Sequence, residues 1–260
     1  MEQITAVIIT CNEERNIGRC IESLGGVVDE IVVVDSGSKD RTEEICRGAG
    51  VRFEYHEWAG YAEQKNYADS LATNAWILSI DADEALSEGL KNSLLQFKES
   101  SPDDNTIYYF NRMTNYCGRW IRHCGWYPDP CLRLWHAGVA RWDGLVHEEL
   151  LYAPTVKLQR LEGDLLHYSY YSIEDHANRQ LHYATLAAEK AFRQGKRCSM
   201  ATVALKQGWT FIRNYVFKGG FLDGPEGYMV CRMSACYTFM KYAFLREMHN
   251  NASEKQEKGQ

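Results

Sequence analysis

The stretch Trp76-Ile77-Leu78-Ser79-Ile80-Asp81-Ala82-Asp83-Glu84 restricts the possible folds of this chain more than any other. A short, largely apolar run passes directly into three carboxylates within four positions. A run of that length, bounded by polar residues, reads as a buried strand. Carboxylates do not belong inside such a strand, because desolvating a charge is costly unless a partner compensates it. The reading therefore puts Asp81, Asp83 and Glu84 just past the strand's C-terminal end, where open α/β sheets bind ligands. Alternate residues of an extended chain point the same way, so Asp81 and Asp83 face one ligand together. Two hard oxygen donors on one side suit Mg²⁺ or Mn²⁺ carrying a phosphate. The competing reading is an acidic loop leading into the helix that starts near Ser87, since acids favour helix N-termini.

Three strand-and-helix units precede this stretch. Ile4 to Thr10 is β-rich, and Cys11-Asn12-Glu13-Glu14 turns it into a helix with Ile17, Ile21 and Leu24 on one face, closed by Gly25-Gly26. Glu30 to Asp35 is a nearly continuous apolar run of the kind found in parallel sheets, followed by Ser36-Gly37-Ser38-Lys39-Asp40-Arg41-Thr42. Ser38 or Asp40 is placed to cap a helix over residues 41–48. Val51 to Tyr55 is a third strand, and a loop from His56 to Tyr61 leads to a helix carrying Gln64-Lys65-Asn66. This βαβαβαβ order predicts a parallel sheet with helices on both faces.

The second half reads differently. Thr106 to Met113, Tyr116 to Arg122, Cys131 to Trp135 and Leu165 to Tyr170 are strand candidates, and Gly138 to Glu149 is a strand-and-loop segment with a polar end. Helices are expected over residues 173–194, 199–218 and 228–247, with a frayed polar tail from Asn250. The expected organisation is a nucleotide-binding and catalytic domain over 1–170, a helical region over 171–250 and a tail over 251–260. A length of 260 residues fits one large domain or one domain with an appendage. The net charge of −6 disfavours a nucleic-acid partner. Met1-Glu2-Gln3 is not basic, so no signal peptide is expected, and no stretch is long and apolar enough to cross a bilayer. The cysteines form no zinc pattern, so reduced thiols of a cytoplasmic protein are expected.

Three parallel strands end in polar residues: Thr10 with Asn12 and Glu13, Asp35 with Ser36, and Asp81 with Asp83. Their C-terminal ends meet at one edge, which gathers four or five acids around one crevice. Such a cluster needs cations or hydroxyl donors. A nucleotide sugar with a divalent metal supplies both, since ribose hydroxyls and a uracil N–H donate to carboxylates and the metal bridges carboxylate to diphosphate. A dinucleotide fold is disfavoured, because no Gly-x-Gly-x-x-Gly follows the first strand, and a P-loop is missing too.

The segments Ile-Ile-Thr-Cys-Asn-Glu-Glu-Arg-Asn-Ile, Ile-Val-Val-Val-Asp-Ser-Gly-Ser-Lys-Asp-Arg-Thr and Ile-Asp-Ala-Asp-Glu resemble the three N-terminal motifs of family 2 glycosyltransferases with a GT-A fold. The resemblance runs over roughly residues 4–100. More loosely, Arg133-Leu134-Trp135, Val146-His147-Glu148 and residues 219–227 are similar to segments of lipopolysaccharide core β-glucosyltransferases. The resemblance implies an α/β GT-A (Rossmann-like) fold, with a mixed, mostly parallel sheet flanked by helices and a C-terminal helical extension. It implies that Thr10, Glu13 and Asp35 hold uracil and ribose. Lys65 would reach the base or diphosphate, Asp81 the ribose or donor sugar, and Asp83 the metal. UDP-glucose is favoured as donor by resemblance alone, with a lipid-linked or lipopolysaccharide core saccharide as acceptor.

Inverting transfer needs a carboxylate that removes the acceptor's proton. Glu148 is the first choice, because it ends a strand-like segment in a motif the family shares. Asp129, between two prolines, is second, against a reading as a turn aspartate. His167 would complete the metal shell, against a reading as a structural histidine. Lys65 is weighed against a solvated helix residue. Aromatic and basic residues interleave from Trp209 to Arg246, which suits peripheral contact with the cytoplasmic face of an inner membrane or, equally, a helical pair packed on the core. Rival activities are nucleotidyl transfer, phosphate hydrolysis, transfer to a lipid phosphate or protein, and nucleotide-sugar binding without catalysis. The first lacks its Gly-rich loop, and the second would carry Asp-x-Asp after its first strand.

Overall fold

The computed structural model of the chain describes residues 1–144 and 148–258. Strands β1 (Ile4–Thr10), β2 (Glu30–Asp35), β3 (Arg52–Tyr55) and β4 (Trp76–Asp81) lie in the order β3-β2-β1-β4, all parallel. The pleat explains why their sequences are apolar throughout. Ile4, Ala6 and Ile8 of β1 and Trp76, Leu78 and Ile80 of β4 face one side, packing with Ile17, Ile21 and Leu24 of α1 (Ile17–Leu24). Val7, Val32, Val34 and Ile77 face the other, against Ala62 and Ala68 of α3 (Tyr61–Ser70). With α2 (Thr42–Gly48) between β2 and β3, helices lie on both faces, as the βα alternation requires.

Beyond β4 the sheet turns antiparallel. It continues through β8 (Pro130–His136), β6 (Thr106–Tyr116), β11 (Lys157–Tyr170) and β5 (Glu84–Leu86), and the pairs β4–β8, β6–β8 and β5–β11 all run antiparallel. A separate ribbon joins β9 (Ala140–Asp143) to β10 (Glu149–Tyr152). Two expectations are corrected here. Asp81 is the last residue of β4 rather than beyond it, and Glu84 opens a strand of its own with no side-chain exposure. The expected strand 116–122 is a hairpin, because Cys117 and Gly118 both take positive φ and only Arg119–Trp120 (β7) re-pairs with β6.

Contacts divide the chain into two compact units, Met1–Met113 with Pro128–Tyr168, and Thr114–Tyr127 with Ser169–Gln260. The second unit contains α5 (Ile173–Arg193), α6 (Met200–Ile212), a π-helical turn (Arg213–Phe217), a 3-10 turn (Gly220–Asp223) and α7 (Gly224–Lys258). α7 begins earlier than expected, because Pro225 stands in its first turn where no N–H is needed. It also continues through the polar residues after Asn250, which include no proline before Lys258. Tyr116, Ile121, Cys124, Val230 and Cys231 form a core within this unit. The buried Asp223 gathers the backbone N–H groups of Arg122 and His123 and the His123 ring at 2.9 Å. A Cβ at Gly227 would lie 2.1 Å from the carbonyl oxygen of Gly220, so the glycine-rich run 219–227 is a close backbone approach.

In the first unit, Gly163 takes φ +100 where β11 passes the start of α4 (Glu88–Glu99). Ser87 Oγ accepts from Leu90 N there, capping α4, and also from Asp164 N. A Cβ at Gly163 would sit 2.2 Å from Leu90 N. Gly163→Ala is therefore expected to cost about 2–5 kcal/mol, from positive-φ strain and overpacking together. Urea unfolding of the variant would measure it, and an unchanged midpoint would contradict the packing described.

Candidate active site

Arg133 is a lone charge in the apolar strand β8, almost fully buried at 4% exposure. Its Nη2 lies 2.7 Å from both Asp81 Oδ2 and Glu84 Oε1. Glu84 Oε2 accepts from Asp81 N at 2.9 Å, which ties the end of β4 to the start of β5. Arg112 of β6 approaches Glu84 at 3.7 Å and pairs with Asp129 at 2.9 Å. On the other side, Lys65 Nζ stands 3.2 Å from Asp81 Oδ1 and 3.1 Å from Glu148 Oε1. The result is one alternating chain of charges, Asp129–Arg112–Glu84–Arg133–Asp81–Lys65–Glu148. Burial pushes the Asp81 carboxyl up, but Arg133 and Lys65 outweigh it and hold it well below the carboxylate range. At Glu84 burial wins over Arg133, and the pKa is raised.

Lys65 is no solvated helix residue. Asn66 exchanges two 2.9 Å hydrogen bonds with the backbone of Trp142, which clamps α3 to β9. The ammonium of Lys65 then lies 4.5 Å from the centre of the Trp142 ring. Gln64 bonds His56 at 2.8 Å. Each member of the Gln64-Lys65-Asn66 trio thus has a separate task.

The first two βα loops are stitched together. Asn12 N donates to Ser38 Oγ, Lys39 N to Asn12 Oδ1, Glu13 N to Thr42 Oγ1 and Glu14 N to Asp40 Oδ2. Asp35 is buried and accepts from Gly37 N, Ser38 N and Ser38 Oγ, so its carboxylate shapes its own turn. The carboxylate of Glu13 accepts from Asn16 Nδ2. Thr10 pairs in register with Asp35, and its buried Oγ1 has no hydrogen-bond partner among the described residues.

Asp83 and His167 come together through β5–β11 pairing. Register sets His167 opposite Glu84, Tyr168 N donates to Asp83 O at 2.9 Å, and His167 Nε2 lies 3.1 Å from Asp83 Oδ2. The two acids of Asp-Ala-Asp therefore answer to different partners, Asp81 to cations and Asp83 to an imidazole. Among the described residues no group of three or more His, Cys, Asp or Glu is arranged to hold a metal. One carboxylate and one imidazole fit a divalent ion that takes its remaining ligands from phosphate and water.

The structure thus brings Lys65, Asp81 and Glu148 together and, separately, Asp83 and His167. Asp129 stands at the far end of the ion chain, engaged by Arg112. Val146 and His147 of the Val-His-Glu motif lie outside the described residues. The residues that sequence reasoning missed are Arg133 and Arg112. The signal was present, since an arginine inside an apolar strand demands counter-charges.

A four-strand parallel half-sheet with polar C-terminal ends, extended by antiparallel strands and flanked by helices, is the GT-A architecture of glycosyltransferases. The profile of Glycosyl transferase family 2 matches residues 5–137, and the chain belongs to that family. Over 95% of its length it is 31% identical to LpsC, a lipopolysaccharide core biosynthesis glycosyltransferase of Rhizobium meliloti, 93% of which is covered. It is also 31% identical, over 95% of its length and 88% of the relative's, to an uncharacterized glycosyltransferase of Rickettsia typhi. Glucosyl-3-phosphoglycerate synthase from Mycobacterium tuberculosis, solved with Mn²⁺, UDP and glucosyl-3-phosphoglycerate, is 24% identical with 44% of each chain covered and a TM-score of 0.34.

Two outcomes follow from the charges. Arg133→Leu leaves Asp81 and Glu84 without their shared cation and should cost about 3–5 kcal/mol. Chemical denaturation is the measurement, and a loss near zero would mean the cluster is solvated. Asp69, one turn after Lys65, has Oδ1 buried without a hydrogen-bond partner among the described residues. Burial pushes its carboxyl up to about 7, with Lys65 opposing. The folded protein then keeps a proton that the unfolded chain releases near the ordinary value of 3.8. That contribution is fully present below about pH 3.8 and is lost as pH rises through about 7. Stability should fall across this window by at most about 1.4 kcal/mol per pH unit from this group. Asp69→Asn should flatten the slope and stabilise the protein at neutral pH, and equal slopes in the two proteins would contradict the assignment.

Proposed function

We propose that the protein is an inverting hexosyltransferase. It moves a hexose, glucose first among the candidates, from a UDP-sugar to a saccharide of the lipopolysaccharide core or another lipid-linked acceptor. The observation that carries this reading is Lys65. It is buried at the C-terminal edge of the parallel strands, where α/β folds bind ligands, and joins Asp81 to Glu148. The near-full-length similarity to LpsC supports a core saccharide as acceptor. The protein would work in the cytoplasm, in peripheral contact with the cytoplasmic face of the inner membrane.

In this reading Thr10, Glu13 and Asp35 hold uracil and ribose. The unpartnered Oγ1 of Thr10 favours that role, whereas Asp35 must share its carboxylate with its own turn. Asp81 contacts the ribose or the donor sugar, and Lys65, whose ammonium screens the Asp81 and Glu148 carboxylates from each other, reaches the base or the diphosphate when the donor is bound. Glu148 takes the proton from the acceptor hydroxyl as the anomeric carbon is attacked. Asp83 and His167 would hold Mg²⁺ or Mn²⁺, which when bound offsets charge on the departing diphosphate.

The test incubates the protein with UDP-glucose, Mn²⁺ and truncated core lipopolysaccharide, and reads the acceptor by mass spectrometry for one added hexose. Glu148→Gln should slow transfer about a hundredfold to ten-thousandfold while calorimetry shows UDP-glucose binding little changed. A nearly silent Glu148→Gln beside a crippled Asp129→Asn would exchange the two roles. Asp83→Asn and chelation by EDTA should each abolish turnover, and full activity in EDTA would remove the metal from the reading.

A further inference from the structure

From residue 190 to residue 222 the sequence has seven lysines and arginines and no aspartate or glutamate, in a chain of net charge −6. α6 and the π-helical turn span the middle of this stretch. Leu205, Trp209, Ile212 and Val216 are spaced four, three and four apart, which places them on one helical face. That face is open to solvent, with exposures from 46% to 73%. Phe217, 69% exposed, packs its ring 5.8 Å from that of Trp209 and widens the patch. This is not the helix's core-facing side. Val203 and Asn214 are buried, and Phe211 and Tyr215 pack on the cluster of Tyr116, Val230 and Cys231.

A contiguous apolar face of this kind marks an interaction surface. Its occupant follows from charge. One residue on from Leu205 and Ile212, about 100° round the helix, stand Lys206 and Arg213, both exposed. Lys206 Nζ donates to Tyr242 Oη at 2.7 Å and Arg213 Nε to Asn214 Oδ1 at 3.1 Å, so each keeps its charge beside the apolar face while bonded at one point to the protein. Lys218 is exposed just past the π-helical turn. Two copies packed face to face would oppose like charges, since the stretch from residue 190 to residue 222 that supplies the face contains no acid to offset them. An anionic bilayer surface offers apolar depth to the stripe and negative headgroups to its basic flank. α7 is used differently. Leu245 is buried with Ala188 and Ala191, Tyr242 and Phe244 pack on them, and Arg232 lies over Phe211.

We propose that the Leu205–Trp209–Ile212–Val216 face of α6, flanked by Lys206 and Arg213, is a docking surface for an anionic lipid bilayer, with the helix lying in the plane of the headgroups. This locates on one helix the membrane contact included in the functional reading. It does not depend on the donor or the acceptor, and its test reads binding rather than turnover.

The full chain is sedimented with phosphatidylcholine vesicles and with vesicles that also contain phosphatidylglycerol. It should pellet with the anionic vesicles, far less with the neutral ones, and less as salt is raised. Trp209→Ser combined with Phe217→Ser should lower partitioning on the order of tenfold, with circular dichroism and melting unchanged because both side chains are exposed. Arg213→Glu should lower it as well. Leu205→Gln examines the same face if the double variant melts early. A folded protein that stays in the supernatant with anionic vesicles overturns the proposal, as does undiminished pelleting of the folded variants. A lipid-free dimer that these substitutions dissociate would assign the face to a second copy instead.

Discussion

The contact between Arg133 and the two buried carboxylates of Asp81 and Glu84 decides how the first unit is assembled. A guanidinium withdrawn from water is tolerable only with hydrogen-bonded counter-charges, and a side chain of Glu84 at zero exposure is tolerable only with a cation. Each requirement is met by the other. The contribution of such a cluster to stability is small in net terms, because desolvation offsets most of the attraction. Its consequence is positional, since β4, β5 and β8 meet at one atom, Nη2 of Arg133, and Arg112 brings β6 to the same cluster.

Two arrangements follow from that junction. Asp81 is fixed at the end of β4 with one oxygen left for Lys65, so Lys65 stands between Asp81 and Glu148 under the ring of Trp142. The chain leaves β4 through Ala82 and Asp83 and re-enters the sheet as β5, whose pairing with β11 sets Asp83 beside His167. The two acids of one short motif therefore acquire different surroundings two residues apart. The register of an antiparallel pair causes this, more than any local preference of the motif.

In the second unit a similar economy rests on backbone rather than charge. A side chain at Gly227 would run into the carbonyl of Gly220 and one at Gly220 into Cys231 and the carbonyl of Asn214, and Asp223 ties the 122–124 segment to that turn. α7 packs on both α5 and the hairpin core, which leaves α6 with one satisfied side and one apolar side.

The parallel half of the sheet was legible from the sequence, because apolar runs bounded by turns report strand burial locally and βα alternation permits few topologies. Lys65, Asp81, Asp83, Glu148 and His167 stood out as candidates through residue type and motif, and the fold gathers them into two groups. Their partnerships were not. Arg133 stands 52 positions from Asp81, and Glu148 stands 83 from Lys65. No pattern in the chain announces such pairs, since one depends on how β4 and β8 pair and the other on how α3 meets the segment before β10. The hairpin at 116–122 shows the same limit, because β-rich composition cannot reveal a turn made by positive φ at Cys117 and Gly118. Local chemistry determined which side chains were available, and only the tertiary structure decided which charge faces which, because desolvation acts on residues that the fold brings together from distant parts of the chain.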